Sequence, residues 1–371
     1  MVIEVVKDDF KRVAYLYVLN KLLIVFLIWL AREVLNPVLP VYVEGLHPNV
    51  VLDSLIHWDA GWFLRIAGQG YDFDSAPFFP LFPFMIRAVA FITGDNVTAG
   101  FLISNTALFI ACYLFYRMTR EDYGEQIATT AVFAMLFFPT AIFFSTIYSE
   151  SLFLALSIGA FYLAGQGRWY QAALLGAGAA LTRNVGLVIF FALLYQLYKE
   201  NGYRISLKKS LPLFLIPASL LIFMLVLWKY TGDPLAFVHS LNREYWGYRR
   251  IAYPGAGQLL NLSLFFKNNE FYSLFESGMA FLFLYLIIRS FYYIKDRSFL
   301  IFLVLGFLIP FSSVVDNLPL GMPRYIIVLF PGYITLARLL HKNGLVLAYS
   351  VISVFVFSVI CVMFVAGRWI S

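Results

Sequence analysis

A succession of apolar runs at or near membrane length constrains this chain more than any other feature. The first run, residues 13–35, is interrupted only by Asn20, Lys21 and the terminal pair Arg32-Glu33. Similar runs recur to the end of the chain, and a helix needs about 20 mostly apolar residues to cross a bilayer. Lipid offers no partner for backbone N–H and C=O groups, so such runs must close their hydrogen bonds internally, as helices do. Of 371 residues, 61% are hydrophobic and only 13% are charged, far from the balance of a soluble domain. The expected fold is an all-α polytopic integral membrane protein. The net charge of +6 is no sign of nucleic acid, because the basic residues sit in short loops between apolar runs. Cys112 and Cys361 lie inside apolar runs, where a small buried hydrophobe is the ordinary role.

Lysine and arginine placement orients the runs. Lys11 and Arg12 put the start of 13–35 on the cytoplasmic side, and without a small-residue cleavage site this run reads as a retained first span. Residues 36–96 then form a first outer loop; within it, 79–94 reads as an interfacial segment because it holds Arg87 and several prolines. Further crossings are expected at 97–117, 127–148, 151–165, twice within 169–198, then at 211–230, 272–294, 299–315, 325–340 and 345–366. Residues 231–270 form a second outer loop. The sum is about eleven transmembrane helices, N-terminus in and C-terminus out, as one membrane domain over residues 1–371 without internal repeats.

That orientation gathers the remaining polar residues on one side. The first outer loop contains Leu55-Ile56-His57-Trp58-Asp59-Ala60-Gly61-Trp62-Phe63, read as a helix capped by Asp53 or Ser54 and stopped by Gly68 and Gly70. At helical spacing, Leu55, Trp58, Trp62 and Ile66 share a stripe, and Asp59 projects onto that same aromatic face. A carboxylate desolvated there is a better proton acceptor, as a general base for a sugar hydroxyl requires; a helix cap or structural ion pair is the plainer alternative. Glu150, Arg183, Asn184, Arg249, Arg250 and Arg324 fall on the same side. Arginine forks suit phosphate oxygens, and aromatic planes such as Tyr245 and Trp246 suit sugar faces. Headgroup anchoring and snorkelling are the alternatives for Arg249-Arg250 and Arg324, and a favourable helix N-terminus is the alternative for Glu150. Asp72-Phe73-Asp74 is formally an Asp-x-Asp pair, but an exposed turn explains it as well. No His/Glu spacing suits zinc; if arginines neutralise a departing phosphate no metal or cofactor is required, and a divalent cation is compatible but not indicated.

The stretch from His57-Trp58-Asp59 to Phe79-Pro80-Leu81-Phe82-Pro83 resembles the signature loop of PIG-V-like mannosyltransferases, which add the second mannose in glycosylphosphatidylinositol synthesis. The resemblance extends through Trp58-Asp59, Phe63, Ile66-Ala67, Gly70-Tyr71 and Asp74. It continues in Phe144-Ser145-Thr146-Ile147-Tyr148-Ser149-Glu150-Ser151-Leu152-Phe153 and Thr182-Arg183-Asn184-Val185-Gly186-Leu187, and more weakly in Tyr245-Trp246 and Pro323-Arg324-Tyr325. It implies a GT-C fold: a polytopic glycosyltransferase acting on the non-cytoplasmic side with a polyprenyl or dolichyl phosphate mannose donor and inverting transfer. It makes Asp59 the counterpart of the first-loop catalytic acid. His57 stands where the family often has arginine, and the segment between Gly70 and Phe79 is shorter than in eukaryotic members; both departures bear on the acceptor more than on the chemistry.

The sequence therefore predicts a membrane mannosyl- or hexosyltransferase with Asp59 as base. His57, Trp58, Asp74, Glu150, Arg183, Asn184, Tyr245, Trp246, Arg249, Arg250 and Arg324 are the expected substrate contacts. Its partners would be the lipid-phosphate donor, a lipid-linked or glycan acceptor and membrane lipids, with no nucleic acid. The rival readings are a lipid or solute transporter or flippase, and a non-catalytic subunit of a membrane assembly.

Overall fold

The computed structural model describes residues 2–36, 45, 47–204, 206–268, 271–319 and 321–370. Part of the expected first outer loop, residues 37–44 and 46, lies outside the described residues. Helix α1, Val2–Trp29, runs on into a π-helical turn at Leu30–Leu35. The stretch expected as the first outer loop contains α2 at Asp59–Gln69 and α3 at Leu81–Thr93. Long helix α4 follows at Asn96–Tyr123, then α5 at Glu125–Leu136. Asp95 starts α4 by accepting from the Thr98 N–H, the ordinary work of an N-cap carboxylate. Helices α6, Glu150–Gly165, α7, Trp169–Ala180, and α8, Val188–Glu200, form a short up-and-down set. They are followed by α9 at Leu215–Thr231, α10 at Ala256–Asn268, α11 at Phe271–Tyr293 and α12 at Arg297–Phe311. The chain closes with α13, Met322–Ile326, α14, Pro331–Lys342, and α15, Val346–Val365.

Helix α4 is the hub, packing against α3, α5 and α6, while α7 rests on α9 and α8 on α12. Phe330 ties the centre together: its ring lies 5.4–5.8 Å from those of Phe115, Phe161, Phe299 and Phe302. The outward faces carry large apolar side chains such as Phe91, Leu207, Phe291 and Leu347, the surface a bilayer covers. The protein is an integral membrane protein.

The span count expected from hydropathy is not confirmed. Among the described residues, five helices are long and apolar enough to cross: Asp8–Leu35, Asn96–Tyr123, Leu207–Thr231, Phe271–Tyr293 and Val346–Val365. Leu81–Thr93, Glu150–Gly165 and Arg297–Phe311 are shorter apolar helices. The expected 127–148 run stops at Leu136, with Pro139 just beyond, because proline has no N–H to continue a helix. The expected 325–340 run is likewise split, with Pro331 opening a fresh helix.

The buried segment between α5 and α6 is irregular, so its carbonyls need partners from outside. Asn20 donates to the Leu136 carbonyl at 2.8 Å, Ser353 to Phe137 at 2.6 Å and Ser151 to Phe144 at 2.7 Å. Those bonds fix the approach to Tyr148, Ser149 and Glu150. One small β-element was not anticipated: strands β1, Arg250–Ile251, β2, Ser313–Val315, and β3, Leu318–Pro319, form an antiparallel sheet in that order. Its hairpin turns at Asp316 and Asn317, both with positive φ as a two-residue hairpin favours. The sheet clasps the loop between α9 and α10 to the hairpin that follows α12.

Candidate active site

Asp59 is the first residue of α2, where a carboxylate meets the positive end of the helix dipole. Neither Asp53 nor Ser54 caps this helix, contrary to expectation. They belong to an earlier turn, where Asp53 accepts from the His47 N–H at 3.1 Å and the Ser54 hydroxyl donates to the Val50 carbonyl at 2.7 Å. Gly70 does end α2, at φ 88°. Before Asp59, Trp58 is forced to φ 48° and ψ −110°, a conformation that costs a non-glycine residue on the order of 1–3 kcal/mol. It is held there from both sides. Tyr148 donates to the His57 carbonyl at 3.1 Å, and the Trp58 ring packs edge-on against Phe364 and Trp369, 5.1 and 5.3 Å away. Arg87 secures the far end of α2 by donating to the Ala67 and Gly68 carbonyls at 2.6 and 2.9 Å.

Four charged side chains meet behind this helix start. Arg324 donates to Asp59 Oδ2 at 2.6 Å, and its Nε lies 3.2 Å from Glu150 Oε1. Arg183 reaches the same Glu150 oxygen at 2.6 Å and donates to the Ser149 hydroxyl at 3.2 Å. Glu150 is fully buried, so a charge there requires these two guanidiniums. Burial works against the Arg324 charge, but Asp59 and then Glu150 outweigh it and hold its pKa above the ordinary guanidinium value. Arg183 is aimed by the turn between α7 and the 3-10 turn Asn184–Leu187. Gly186 lets that turn lie flat, since a Cβ there would sit 2.5 Å from the Ala179 backbone.

This ion-pair chain forms one wall of a cavity of about 770 Å³. Phe78, Phe79 and Trp369 add apolar surface, and Tyr245, Trp246, Arg249 and Arg250 come from the loop between α9 and α10. That loop is moored by the Trp246 indole N–H on the Asp74 carbonyl at 3.0 Å and by Arg243 stacked 3.9 Å from the Phe73 ring centroid. Arg250 also bonds Asn317 across the small sheet.

Of the expected site residues, Asp59, Glu150, Arg183, Asn184, Tyr245, Trp246, Arg249, Arg250 and Arg324 line this cavity, while His57, Trp58 and Asp74 do not. His57 is buried under Trp58 and Phe364, and that burial pulls its imidazole pKa down although the ring faces the backbone carbonyls of Ser54 and Val365, which accept from its N–H groups and favour the charged form. Asp74 contributes its backbone carbonyl. Asp72 is held by Arg65 and Ser75 rather than sharing a site with Asp74, and among the described residues no three His, Cys, Asp or Glu side chains cluster as metal ligands. Asp59 is partly buried and ion-paired with Arg324, so the structural ion pair given as its plainer alternative is present.

Sequence reasoning missed two residues. Glu276, 5% exposed in α11, accepts from the Met322 N–H at 3.1 Å and from Asn261 at 3.1 Å, fixing the start of the helix that carries Arg324. An acidic residue inside an apolar run was the available signal. Tyr325 lines the cavity beside Arg324, and its only sequence signal was its place in Pro323-Arg324-Tyr325. Burial opposes ionisation of its phenol, yet Arg249, Arg324 and Arg183 together draw its pKa below the usual value.

The family model described as mannosyltransferase (PIG-V) matches residues 12–366, nearly the whole chain. The chain belongs to the PIG-V mannosyltransferase family. It is 33% identical over 161 residues to GPI mannosyltransferase 2 of Schizosaccharomyces pombe, a match covering 42% of this chain and 34% of that protein. It is 30% identical over 236 residues to human GPI alpha-1,6-mannosyltransferase 2, covering 58% of this chain and 44% of that one. The matched regions thus span less than half the length of these relatives. The fold is similar to that of the apo oligosaccharyltransferase of Archaeoglobus fulgidus, with a TM-score of 0.51 at 12% identity over 97% of this chain and 56% of that one. It is equally similar to apo ArnT of Cupriavidus metallidurans, with a TM-score of 0.50 at 12% identity over 94% and 75% of the two chains. This PIG-V family member therefore has the GT-C fold expected from its signature loop.

Proposed function

We propose that this protein transfers a mannosyl group from a polyprenyl phosphate to a hydroxyl of a lipid-linked or glycan acceptor on the non-cytoplasmic side. One observation carries the reading: Asp59 lines the same cavity as Arg183, Arg249, Arg250 and Arg324. A carboxylate beside a cluster of guanidiniums is what transfer from a sugar phosphate needs, a proton acceptor next to a site for the departing anion.

The residues divide the work as follows. The donor's phosphate offers Arg324 a second anion, so that binding draws the guanidinium partly off Asp59 and frees the carboxylate for the acceptor hydroxyl. The hydroxyl oxygen then bonds to the anomeric carbon from the face opposite the phosphate, giving inversion. The bond from that carbon to the phosphate oxygen breaks with its electron pair left on the phosphate, and the hydroxyl proton passes to Asp59. The arginines stabilise the charge that accumulates on the phosphate. Glu150 keeps Arg183 and Arg324 aimed into the cavity, and Trp246, Tyr245 and Phe78 offer flat apolar faces to a sugar.

The test is purified protein in lipid with radiolabelled dolichyl phosphate mannose and native lipid extract, wild type beside Asp59→Asn. Wild type should label an acceptor, and Asp59→Asn should lose roughly 10²- to 10⁴-fold in rate while still binding donor. Equal transfer by both proteins removes Asp59 as base. Failure of wild type to bind donor sinks the transferase reading and favours transport.

A further inference from the structure

Tyr325 stands where the arginines converge. Its ring lies 5.2 Å from the Arg183 guanidinium carbon and 5.5 Å from that of Arg324, and it lines the cavity. Arg249 also acts on its phenol from the outer-loop side. Among the described residues, no protein group accepts a hydrogen bond from its hydroxyl. The three neighbouring guanidiniums can only donate, and Asp59, the carboxylate that acts on this phenol, is already engaged by Arg324. A phenol O–H placed among cations in a cavity needs a partner rich in acceptor oxygens and negative charge.

We propose that the Tyr325 hydroxyl is a further catalytic residue, donating a hydrogen bond to a phosphate oxygen of the lipid-linked donor and holding it more tightly as the phosphate departs. The inference rests on the transferase reading above. The donor is a phosphodiester with one negative charge. When the bond to the anomeric carbon breaks, its electron pair stays on the phosphate, which leaves as a prenyl phosphate monoester with a second charge. The acceptor's proton goes to Asp59, so the total charge is conserved and Tyr325 keeps its own proton. A donor aimed at oxygens whose charge grows during the step lowers the barrier more than it strengthens donor binding. Tyr325 thus complements the arginines, which supply charge, with a short neutral donor whose ring lies against two of them.

Tyr325→Phe removes the hydroxyl and keeps the ring that Arg183 and Arg324 stack on. The experiment compares wild type and Tyr325→Phe in three measurements: mannosyl transfer from dolichyl phosphate mannose, binding of dolichyl phosphate and of uncharged dolichol, and thermal unfolding. The variant should melt with wild type and lose roughly 10- to 100-fold in kcat, with a smaller change in donor KM. It should bind dolichyl phosphate about tenfold more weakly and dolichol equally well. Wild-type kcat and dolichyl phosphate affinity in the variant overturn the proposal. So does an equal loss for dolichol, which would make Tyr325 part of the lipid groove, or a clear drop in melting temperature, which would make its hydroxyl a structural partner. Wild type that binds no dolichyl phosphate overturns the transferase reading itself, and this inference with it.

Discussion

The two walls of the cavity are built on different principles. The inner wall comes from the starts of α2, α6 and α13 and the turn after α7, and its Asp59–Arg324–Glu150–Arg183 chain is mostly buried. The outer wall is a loop carrying Tyr245, Trp246, Arg249 and Arg250, with Tyr245 62% exposed, held by a few long-range hydrogen bonds and a short sheet. On the inner wall each charge depends on the next, because a buried ion left alone bears a large desolvation penalty. On the outer wall Arg249 is half-buried and Arg250 exposed, and both stand outside that chain, so the loss of either leaves no buried ion unpaired. Under the proposed transfer reaction, this contrast would leave geometry to one wall and capture of substrate to the other.

The largest expected effect comes from cutting the inner chain at its middle. Glu150→Ala leaves Arg183 and Arg324 without their shared counterion and should destabilise the protein by about 3–5 kcal/mol, measured as a lower unfolding temperature in lipid nanodiscs. A wild-type melt would show that the inner wall stands without its ion pairs and would erase the contrast. On the outer wall, Arg249→Gln should leave the melt unchanged and weaken dolichyl phosphate binding roughly tenfold, read by titration. Unchanged affinity would place the phosphate on the inner wall alone. The smallest effect is expected for Trp246→Phe, which keeps an aromatic ring beside Phe78 and Trp62 but loses the indole bond to Asp74. Loosening worth about 1 kcal/mol should appear as faster amide exchange in residues 240–251, with no global change. Slower exchange, or a global drop in stability, would mean that the loop is anchored as firmly as the inner wall.

The membrane-helical architecture was legible because transfer of apolar side chains into lipid is additive along the chain, so hydropathy sums locally. The two short helices around Arg183 were legible for a related reason: basic loops on either side of residues 169–198 require an even number of crossings. The break after Leu136 was harder to see, since its apolar residues continue and only Pro139 and the partners Asn20, Ser353 and Ser151 make an irregular buried backbone tolerable. The small sheet left no signal either, because strands of two or three residues are too short to show a period.

The sequence by itself determined that this chain lives in a membrane and that its motifs resemble those of the PIG-V family, whose model matches residues 12–366. Only the tertiary structure decided which charges touch. Asp59 and Arg324 are 265 positions apart, and Glu150 and Arg183 reach them from two other segments. Hydropathy is a property of neighbours along the chain, whereas an ion pair acts through a few ångströms of space, and nothing local to Asp59 carries the position of Arg324. The same reason hid Glu276 and Tyr325: one acts through the Met322 amide and the other through the arginines around it, and both relations exist only once the helices have packed.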